Sequence, residues 1–479
     1  MSLFSIPRFI ISSDRSSSGK TTITMGLIKL LEENGFSVQP FKVALDYIDP
    51  EYHSEISSRK CRNLDGYLMD ENIIKNIFIN ACNEIDSKNN VANIAIIEGV
   101  RGLYEGIDGI LDIGSTAQIS KILKCPIIFV INVKSITKSC SAIIKGFMEI
   151  DHDIDIKGII LNNVRSKDHS LKIIKSINYY LKIPVVGIIY RDNEIELDMK
   201  NFGLESIPKQ LLNKEIFYSK INRLSNKLNQ SINLKEVLNI ANNNKPINID
   251  ENHRNIFSTK NNIKNSITIG IPYDEAFNNY YEDNINLFKI NGAKLKKFSI
   301  LHDEYPPEDI DAIYIGGGDI EPFLEDLENN SSMRKTIRKY SLDGMPIYGE
   351  SLGMNYLTKK VILNNKEYSM VNALPGTSVI LKDKRIVNYT KGIFIKNSII
   401  GLNKDVFKAH EFHNTKIIDI KSNDNYAISI ERGSGIQNKK DGLMNNNTIG
   451  TYSRFHGMAY NGWIKLIIEN AIQYHKIKK

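Results

Sequence analysis

The sequence predicts an α/β protein of two units, the first a parallel sheet covered by helices on both faces. Three observations predict it. Strand-like and helix-like segments alternate through the first half of the chain. A phosphate-loop-like turn falls between the first strand and the first helix. A polar, Asn/Lys-rich run then separates this half from a second αβ alternation.

Each element follows from its local pattern. Arg8–Ser12 is a short β-rich run, and TTITMGLIKLLEENG after it has helical periodicity that stops at Gly35. Further buried-strand candidates are Val38–Val43, Ile94–Ile97, Pro126–Val133 and Ile156–Leu161, each followed by a helical stretch. Right-handed crossovers place the C-terminal strand ends, and any ligands, along one edge of such a sheet. From about Ile240 the pattern collapses into NIANNNKPINIDENHRNIFSTKNNIKNS, which has no apolar period and reads as a linker. ITIGIPY then opens the second unit, followed by an amphipathic helix near Asn284–Asn291, a strand at Ala312–Ile315 and the Gly-rich turn IGGGD. The expected boundaries are 1–240, a linker over 241–266, and 267–479. No internal repeat is present.

Composition fits this reading. The 479 residues are 42% hydrophobic and 24% charged, which excludes disordered and fibrous classes. Lys and Arg total 62 against 55 Asp and Glu, a formal charge of +7. That weak bias suits anionic small molecules and does not mark a nucleic-acid binder. The four cysteines, Cys61, Cys82, Cys125 and Cys140, lack metal-ligand spacing and all lie in the first third, excluding a disulfide scaffold or a cysteine zinc site. A reducing cytoplasm is the expected compartment. The N-terminal residues carry no signal-peptide pattern, and no stretch reaches the roughly 18 apolar residues of a membrane helix.

Three clusters carry chemistry. The first is Ser16-Ser17-Ser18-Gly19-Lys20-Thr21-Thr22. A phosphate loop needs backbone N–H groups around the anion, a helix N-terminus behind it, a lysine for the β/γ-phosphates and a hydroxyl for Mg²⁺. Gly19, Lys20 and Thr21 supply the later elements, while Asp14 stands where the usual first glycine would be. The second is PFKVALDYIDPEYH, residues 40–53, with Asp46 and Asp49 at a strand end on the same sheet edge. The third is IIEGVRGLYEG, where Glu98 closes an apolar strand. An acidic strand end facing a phosphate loop commonly holds the metal, so Thr21, Asp46 and Glu98 form a candidate Mg²⁺ set. Asn162, at another strand end in GIILNNV, is a candidate reader of the adenine edge, or equally a turn residue.

In this order the clusters resemble the a,c-diamide synthases of tetrapyrrole biosynthesis. That family includes cobyrinic acid and Ni-sirohydrochlorin a,c-diamide synthases. Its pattern is a variant phosphate loop, then FKxxxDYIDPxYH, then EGVxGLYxG. The resemblance continues through DEAFNNYYEDNINLF, GAKLKKFSILHDE, YIGGGDIEP, HEFHNT and YNGW, so it spans nearly the whole chain apart from the linker. Asp14-Arg15, Ala44-Leu45 and Arg101 look more like the nickel branch, which serves the methanogen nickel tetrapyrrole cofactor.

The resemblance implies an N-terminal P-loop domain like dethiobiotin synthetase and a C-terminal domain like class I glutamine amidotransferases. It implies ATP and Mg²⁺ as cofactors, carboxylates activated as acyl phosphates, and amides formed by attack of ammonia. By this carry-over Lys20 and Thr21 serve the triphosphate. Asp46, Tyr47, Asp49 and Glu98 handle metal, acyl phosphate and substrate. Arg62, Arg101 and Tyr104 are candidate substrate residues, the arginines pairing with carboxylates bidentately. Dethiobiotin-synthetase-like sheets often dimerise, so the resemblance leans towards a homodimer.

The second half departs from the family. Where the family has a nucleophilic Cys in a context like PIYAECGG, this chain reads GMPIYGESLGMNYL and places Ser351. Where the family reads SYxHxH, this chain reads GTYSRFHG, which puts Arg454 at the first His and leaves His456 two residues on. A hydroxyl is far harder to ionise than a thiol of pKa about 8.5. The expectation is a degenerate glutaminase site and the use of free ammonia or ammonia from another subunit. A residual Ser351–His456 glutaminase is the lesser alternative, and a changed reaction is the third. His410 and His413 suit either the amidotransferase core or a packed turn. Cobyrinic acid is the alternative substrate. A partition-type ATPase switch or scaffold is the alternative of another class, but it has no need for so many acidic groups at the substrate edge.

Overall fold

The computed structural model describes residues 2–86, 88–192, 213–249, 267–382, 384–420 and 425–478. Two compact units divide it, Met1–Ile256 and Phe257–Lys479.

The first unit begins with a short strand, β1 (Ser2–Phe4), and then alternates strictly. β2 (Arg8–Ser13) leads to α1 (Lys20–Glu33), β3 (Val38–Val43) to α2 (Ile48–Ser57), and β4 (Arg62–Leu64) to α3 (Glu71–Asn83). β5 (Ile94–Glu98) leads to α4 (Thr116–Leu123), β6 (Ile127–Asn132) to α5 (Ser139–Ile150), and β7 (Ile156–Val164) to α6 (Lys167–Tyr180), before β8 (Val185–Tyr190). The seven-stranded sheet has the order β4-β3-β5-β2-β6-β7-β8, and every pairing is parallel. β2 lies centrally between β5 and β6, so the chain reverses its direction of travel there. In open parallel sheets such a switch point makes a crevice at the carboxyl ends of the strands.

Local chemistry accounts for the elements. β2, β3 and β5 are buried along their whole length, as a sheet covered on both faces requires. The side chains of Asp70, Ser115 and Ser166 accept backbone N–H bonds at the N-termini of α3, α4 and α6. In α1 the buried Ile23, Leu27, Leu30 and Leu31 follow helical spacing. Gly26 lets this helix approach the helix Lys214–Ser231, because a Cβ there would come within 2.4 Å of Leu228.

The linker expectation changes at its near end. Residues 234–242 form a helix in which Ala241 is buried, and Ile247–Ile249, β9, pairs antiparallel with β1. Amphipathic spacing over so short a run is masked by surrounding Asn and Lys. Residues 250–266 of the expected linker lie outside the described residues.

The second unit holds a ten-stranded sheet. Five strands run parallel in the order Lys294–Phe298, Thr268–Pro272, Ala312–Ile315, Ile347–Glu350, Thr448–Thr451. The antiparallel remainder includes Ile386–Phe394, Val406–His413 and the short strand Ser453–Arg454. The helix expected near 284–291 is Glu282–Ile290. Trp463, the one tryptophan, is fully buried against Phe288, Tyr314 and Tyr348. Among the described residues no helix is long and apolar enough to cross a membrane.

Candidate active site

The loop between β2 and α1 closes on itself through side chains. Asp14 accepts a bond from the Ser18 hydroxyl at 3.0 Å and pairs with Arg15 at 2.8 Å. Gly19 has φ 99°, a left-handed conformation that favours glycine, and a Cβ there would meet the Asn162 amide at 2.3 Å. Lys20 follows as the first residue of α1. Its ammonium is buried and donates to Ser13 Oγ at 2.8 Å and to the carbonyls of Arg15 and Arg101 at 3.1 and 2.5 Å. Burial lowers its pKa to about 8. This cation lies in the crook of the loop, where phosphate oxygens would compete for it.

Glu98 ends β5 beside the loop and is fully buried. Its Oε1 accepts from the Thr21 hydroxyl at 2.5 Å and from the Lys42 ammonium at 2.7 Å. Its Oε2 lies 2.5 Å from His53 Nε2. Burial alone would raise this carboxyl, but Lys42 and His53 reverse that and hold it well below the usual range. Lys42 also donates to Asp49 Oδ2 at 2.6 Å, and burial, which would lower it, is outweighed by Asp49 and Glu98, so it stays charged. Asp49 Oδ2 lies 3.3 Å from the Thr21 hydroxyl, and burial pushes this carboxyl up to about 6 against the pull of Lys42.

These groups line a cleft of about 820 Å³ at the sheet edge, with Ser16, Thr22 and Arg101 also on its walls. Hard oxygens from Thr21, Glu98 and Asp49 converge there, a donor chemistry that suits a small divalent cation completed by phosphate and water. Among the described residues no three His, Cys, Asp or Glu side chains form a complete metal cage.

Several expected residues stand differently. Asp46, expected in the metal set, spends Oδ1 on the N–H groups of Ile48 and Asp49 at the start of α2, and its Oδ2 is 3.9 Å from Lys42. Asp49 takes its place beside Thr21. Tyr47 is buried at the N-terminus of α2 rather than on the cleft wall. Asn162 reaches the cleft, where its amide donates to the Ser18 carbonyl at 2.9 Å and its oxygen accepts from Asn163 N–H, so it also clamps the phosphate loop. Arg62 is not on the cleft; its guanidinium lies 2.6 Å from both oxygens of Glu84. Tyr104 packs its ring on Phe147 of α5 and donates its hydroxyl to the Phe147 carbonyl at 2.5 Å. Arg101 is exposed on the cleft wall, where a substrate carboxylate could reach it.

Lys42 and His53 were not singled out in the sequence. Lys42 carried one usable signal: a lysine inside an otherwise buried strand requires a buried carboxylate partner.

The second unit has a sharp strand-to-helix turn whose surroundings are filled by side chains. Ser351 joins the strand Ile347–Glu350 to the helix Leu352–Leu357 with φ 52° and ψ −115°. A non-glycine residue in this region is strained. Ser351 is buried, its N–H donates to Thr451 O at 2.7 Å and its hydroxyl to Phe412 O at 2.7 Å. Arg454 is buried with Nε 3.6 Å from Glu350, and donates to Asn279 O at 2.5 Å. A Cβ on Gly317 would come within 2.8 Å of this guanidinium, so Arg454 covers the IGGGD turn. Glu350 is also fully buried and accepts from the hydroxyls of Tyr314 and Tyr348 and from Phe455 N–H. His456 faces Asp283 at 3.3 Å and packs on Tyr281, while Ser351 gives its hydroxyl to a main-chain carbonyl. His413 stacks on Tyr452 at 3.6 Å and bonds Thr415 O, and burial lowers its pKa to about 4. His410 is buried edge-on against Tyr389.

The fold and the cleft define a P-loop nucleotide-binding unit followed by an amidotransferase-type unit, the two parts of an ATP-dependent amidating enzyme. Residues 9–202 match the CobQ/CobB/MinD/ParA nucleotide binding domain, and residues 268–462 match the CobB/CobQ-like glutamine amidotransferase domain. The chain is 45% identical over 486 residues to the cobyrinate a,c-diamide synthase of Methanosarcina barkeri, covering 98% of this chain and 97% of that one. It is 45% identical over 483 residues to the protein of that name from Methanosarcina acetivorans, with 98% and 96% covered. The Methanocaldococcus jannaschii protein of the same name is 39% identical over 456 residues, with 94% and 96% covered. The chain belongs to the cobyrinate a,c-diamide synthase family.

Proposed function

We propose that this chain converts the a and c acetate side chains of Ni-sirohydrochlorin to amides, in the route to the methanogen nickel tetrapyrrole cofactor. A carboxylate becomes an electrophile only when one oxygen is made a leaving group. The terminal phosphoryl group of ATP passes to the substrate carboxylate, releasing ADP. Ammonia then attacks the acyl carbon, phosphate leaves, and a proton is lost from nitrogen to solvent. The observation that carries this reading is the junction of Thr21, Glu98, Asp49 and Lys42 beside the phosphate loop, in a cleft wide enough for nucleotide and substrate edge together.

The roles follow from charge. Lys20 sits to neutralise the β/γ-phosphates, and Lys42 the oxygens of the phosphoryl group in transit. Mg²⁺, when bound with ATP, adds positive charge at the same oxygens; Thr21, Glu98 and Asp49 are the residues that would hold it. Arg101, on the cleft wall, would receive a substrate carboxylate. Asp46, Tyr47 and Asn162 shape the loop and helix that carry these groups.

The nitrogen donor in this reading is ammonia. Ser351 in place of the family cysteine and Arg454 in place of its histidine both support that choice. The chain works in the cytoplasm in this reading, consistent with four free, buried cysteines.

The test is purified protein with ATP, Mg²⁺, Ni-sirohydrochlorin and either ammonium or glutamine. Diamide is expected with ammonium. No diamide with either donor would end the proposal, and glutamine performing as well as ammonium would end the ammonia part of it. The printed name of the relatives favours a second reading, with cobyrinic acid as the substrate. Side-by-side turnover of the two macrocycles decides; Asp14-Arg15, Ala44-Leu45 and Arg101 favour nickel. Sedimentation of the purified chain tests the homodimer.

A further inference from the structure

We propose that His53 is a positioning residue that fixes Glu98 in the rotamer able to serve the nucleotide's divalent cation. This inference rests on the Mg²⁺–nucleotide reading of the cleft. His53 lies on α2 four residues after Asp49, so both side chains project from one face of that helix. The ring is fully buried, and its Nε2 lies 2.5 Å from Glu98 Oε2. The other oxygen of Glu98 takes Thr21 and Lys42 at 2.5 and 2.7 Å. One oxygen is thus tethered from behind and the other presented to the cleft.

The far side of the ring shows what this contact is for. Nδ1 of His53 is buried and has no hydrogen-bond partner. An unsatisfied buried nitrogen is a penalty that an apolar side chain would avoid. The slot nonetheless holds a histidine, and the polar group on the ring's bonded side is Glu98. A histidine kept for packing would have no need of that bond. Groups that orient a metal-binding side chain act in this way, and their loss weakens metal affinity about 10–100-fold.

The full-length chain tests this with His53→Gln, His53→Asn and His53→Leu. Gln can bring a side-chain N–H to Glu98 Oε2; Asn is one carbon too short. The readout is binding of a fluorescent ATP analogue, titrated with Mg²⁺ at fixed nucleotide, with binding in EDTA and the melting temperature recorded beside it. Asn is expected to raise the half-saturating Mg²⁺ concentration at least tenfold, and Gln to return it to within about threefold of the parent. Binding in EDTA should be unchanged in both. Leu, if it folds, should behave as Asn does. Equal Mg²⁺ dependence in Asn, Gln and parent would overturn the role of His53 while leaving the amidation reading intact. A parent chain whose nucleotide binding ignores Mg²⁺ altogether would overturn the Mg²⁺–nucleotide reading of the cleft, and the role of His53 with it.

Discussion

Two strand-to-helix turns, one in each unit, hold a residue with positive φ. At Gly19 the turn opens onto a cleft of about 820 Å³, with Lys20, Thr21, Lys42 and Glu98 converging on it. At Ser351 the turn is sealed: the hydroxyl is given to Phe412 O, and Arg454 lies over Gly317. The backbone is equally specialised in both places, so backbone geometry is not what separates them. The difference lies in where the charges face. In the first unit Lys20, Lys42, Asp49 and Glu98 line the cleft, although the two lysines and Glu98 are themselves buried. In the second, Glu350 and Arg454 are both buried, with Glu350 bonded by Tyr314, Tyr348 and Phe455 N–H and Arg454 set 3.6 Å from it. A strained turn persists where the surrounding sheet dictates its path.

The comparison breaks most sharply at Glu98. Glu98→Gln removes the charge that joins Thr21, Lys42 and His53, and ammonia-dependent turnover should fall about 10²–10³-fold. A loss under tenfold in steady-state assays would mean the cleft does not do the phosphoryl chemistry.

The next effect belongs to the sealed turn and is one of stability. Arg454→Ala leaves Glu350 buried without its cation, which should destabilise the second unit by about 3–5 kcal/mol. Trp463 is the one tryptophan and lies in that unit, so its fluorescence follows this unfolding selectively. Nucleotide binding by the first unit should be unaffected. An unchanged denaturation midpoint would show that the Glu350–Arg454 pair is not structural.

A smaller effect separates the units by pH. Burial pushes the Asp441 carboxyl up to about 6, against the bonds from Tyr452 and Ser453 N–H. Its folded pKa lies above its unfolded value near 3.8, so the folded form holds the extra proton between them. Its contribution to stability is therefore full below about pH 4 and is lost as pH rises through about 6. Asp441→Asn should flatten the Trp463-detected melting profile over that window. A slope equal to the parent's would show that another group controls it.

The smallest effect is at Ser351. Ser351→Ala removes one hydrogen bond, worth about 1 kcal/mol, and ammonia-dependent turnover should stay within about twofold of the parent. A large loss of glutamine-dependent turnover would instead reveal a working serine.

Much of this was legible in the sequence, and the limits have physical causes. The strand predicted at Ala312–Ile315 is found there because a continuous apolar run marks a buried parallel strand, and β3 runs over the predicted Val38–Val43 even though Gln39 and Lys42 interrupt its apolar residues. The junction of Thr21 with Glu98 was legible because the start of α1, which follows β2, and the end of β5 fall on one sheet edge. What escaped were long-range partners. Glu84 captures Arg62, Phe147 captures Tyr104 and Ser18 captures Asn162, and spacing along the chain encodes none of these meetings. Asp46 and Asp49 differ by less than one helical turn, and only the start of α2 decides which of them faces Thr21.

One modest pairing has a practical consequence. Ser2–Phe4 hydrogen-bonds with Ile247–Ile249, so the beginning of the first unit is zipped to its exit. Severing the chain near residue 240 would strip the mate from that ribbon, whereas severing after Ile249 would leave both halves together. A bulky group attached next to Ser2 would lie against the same ribbon and strain it.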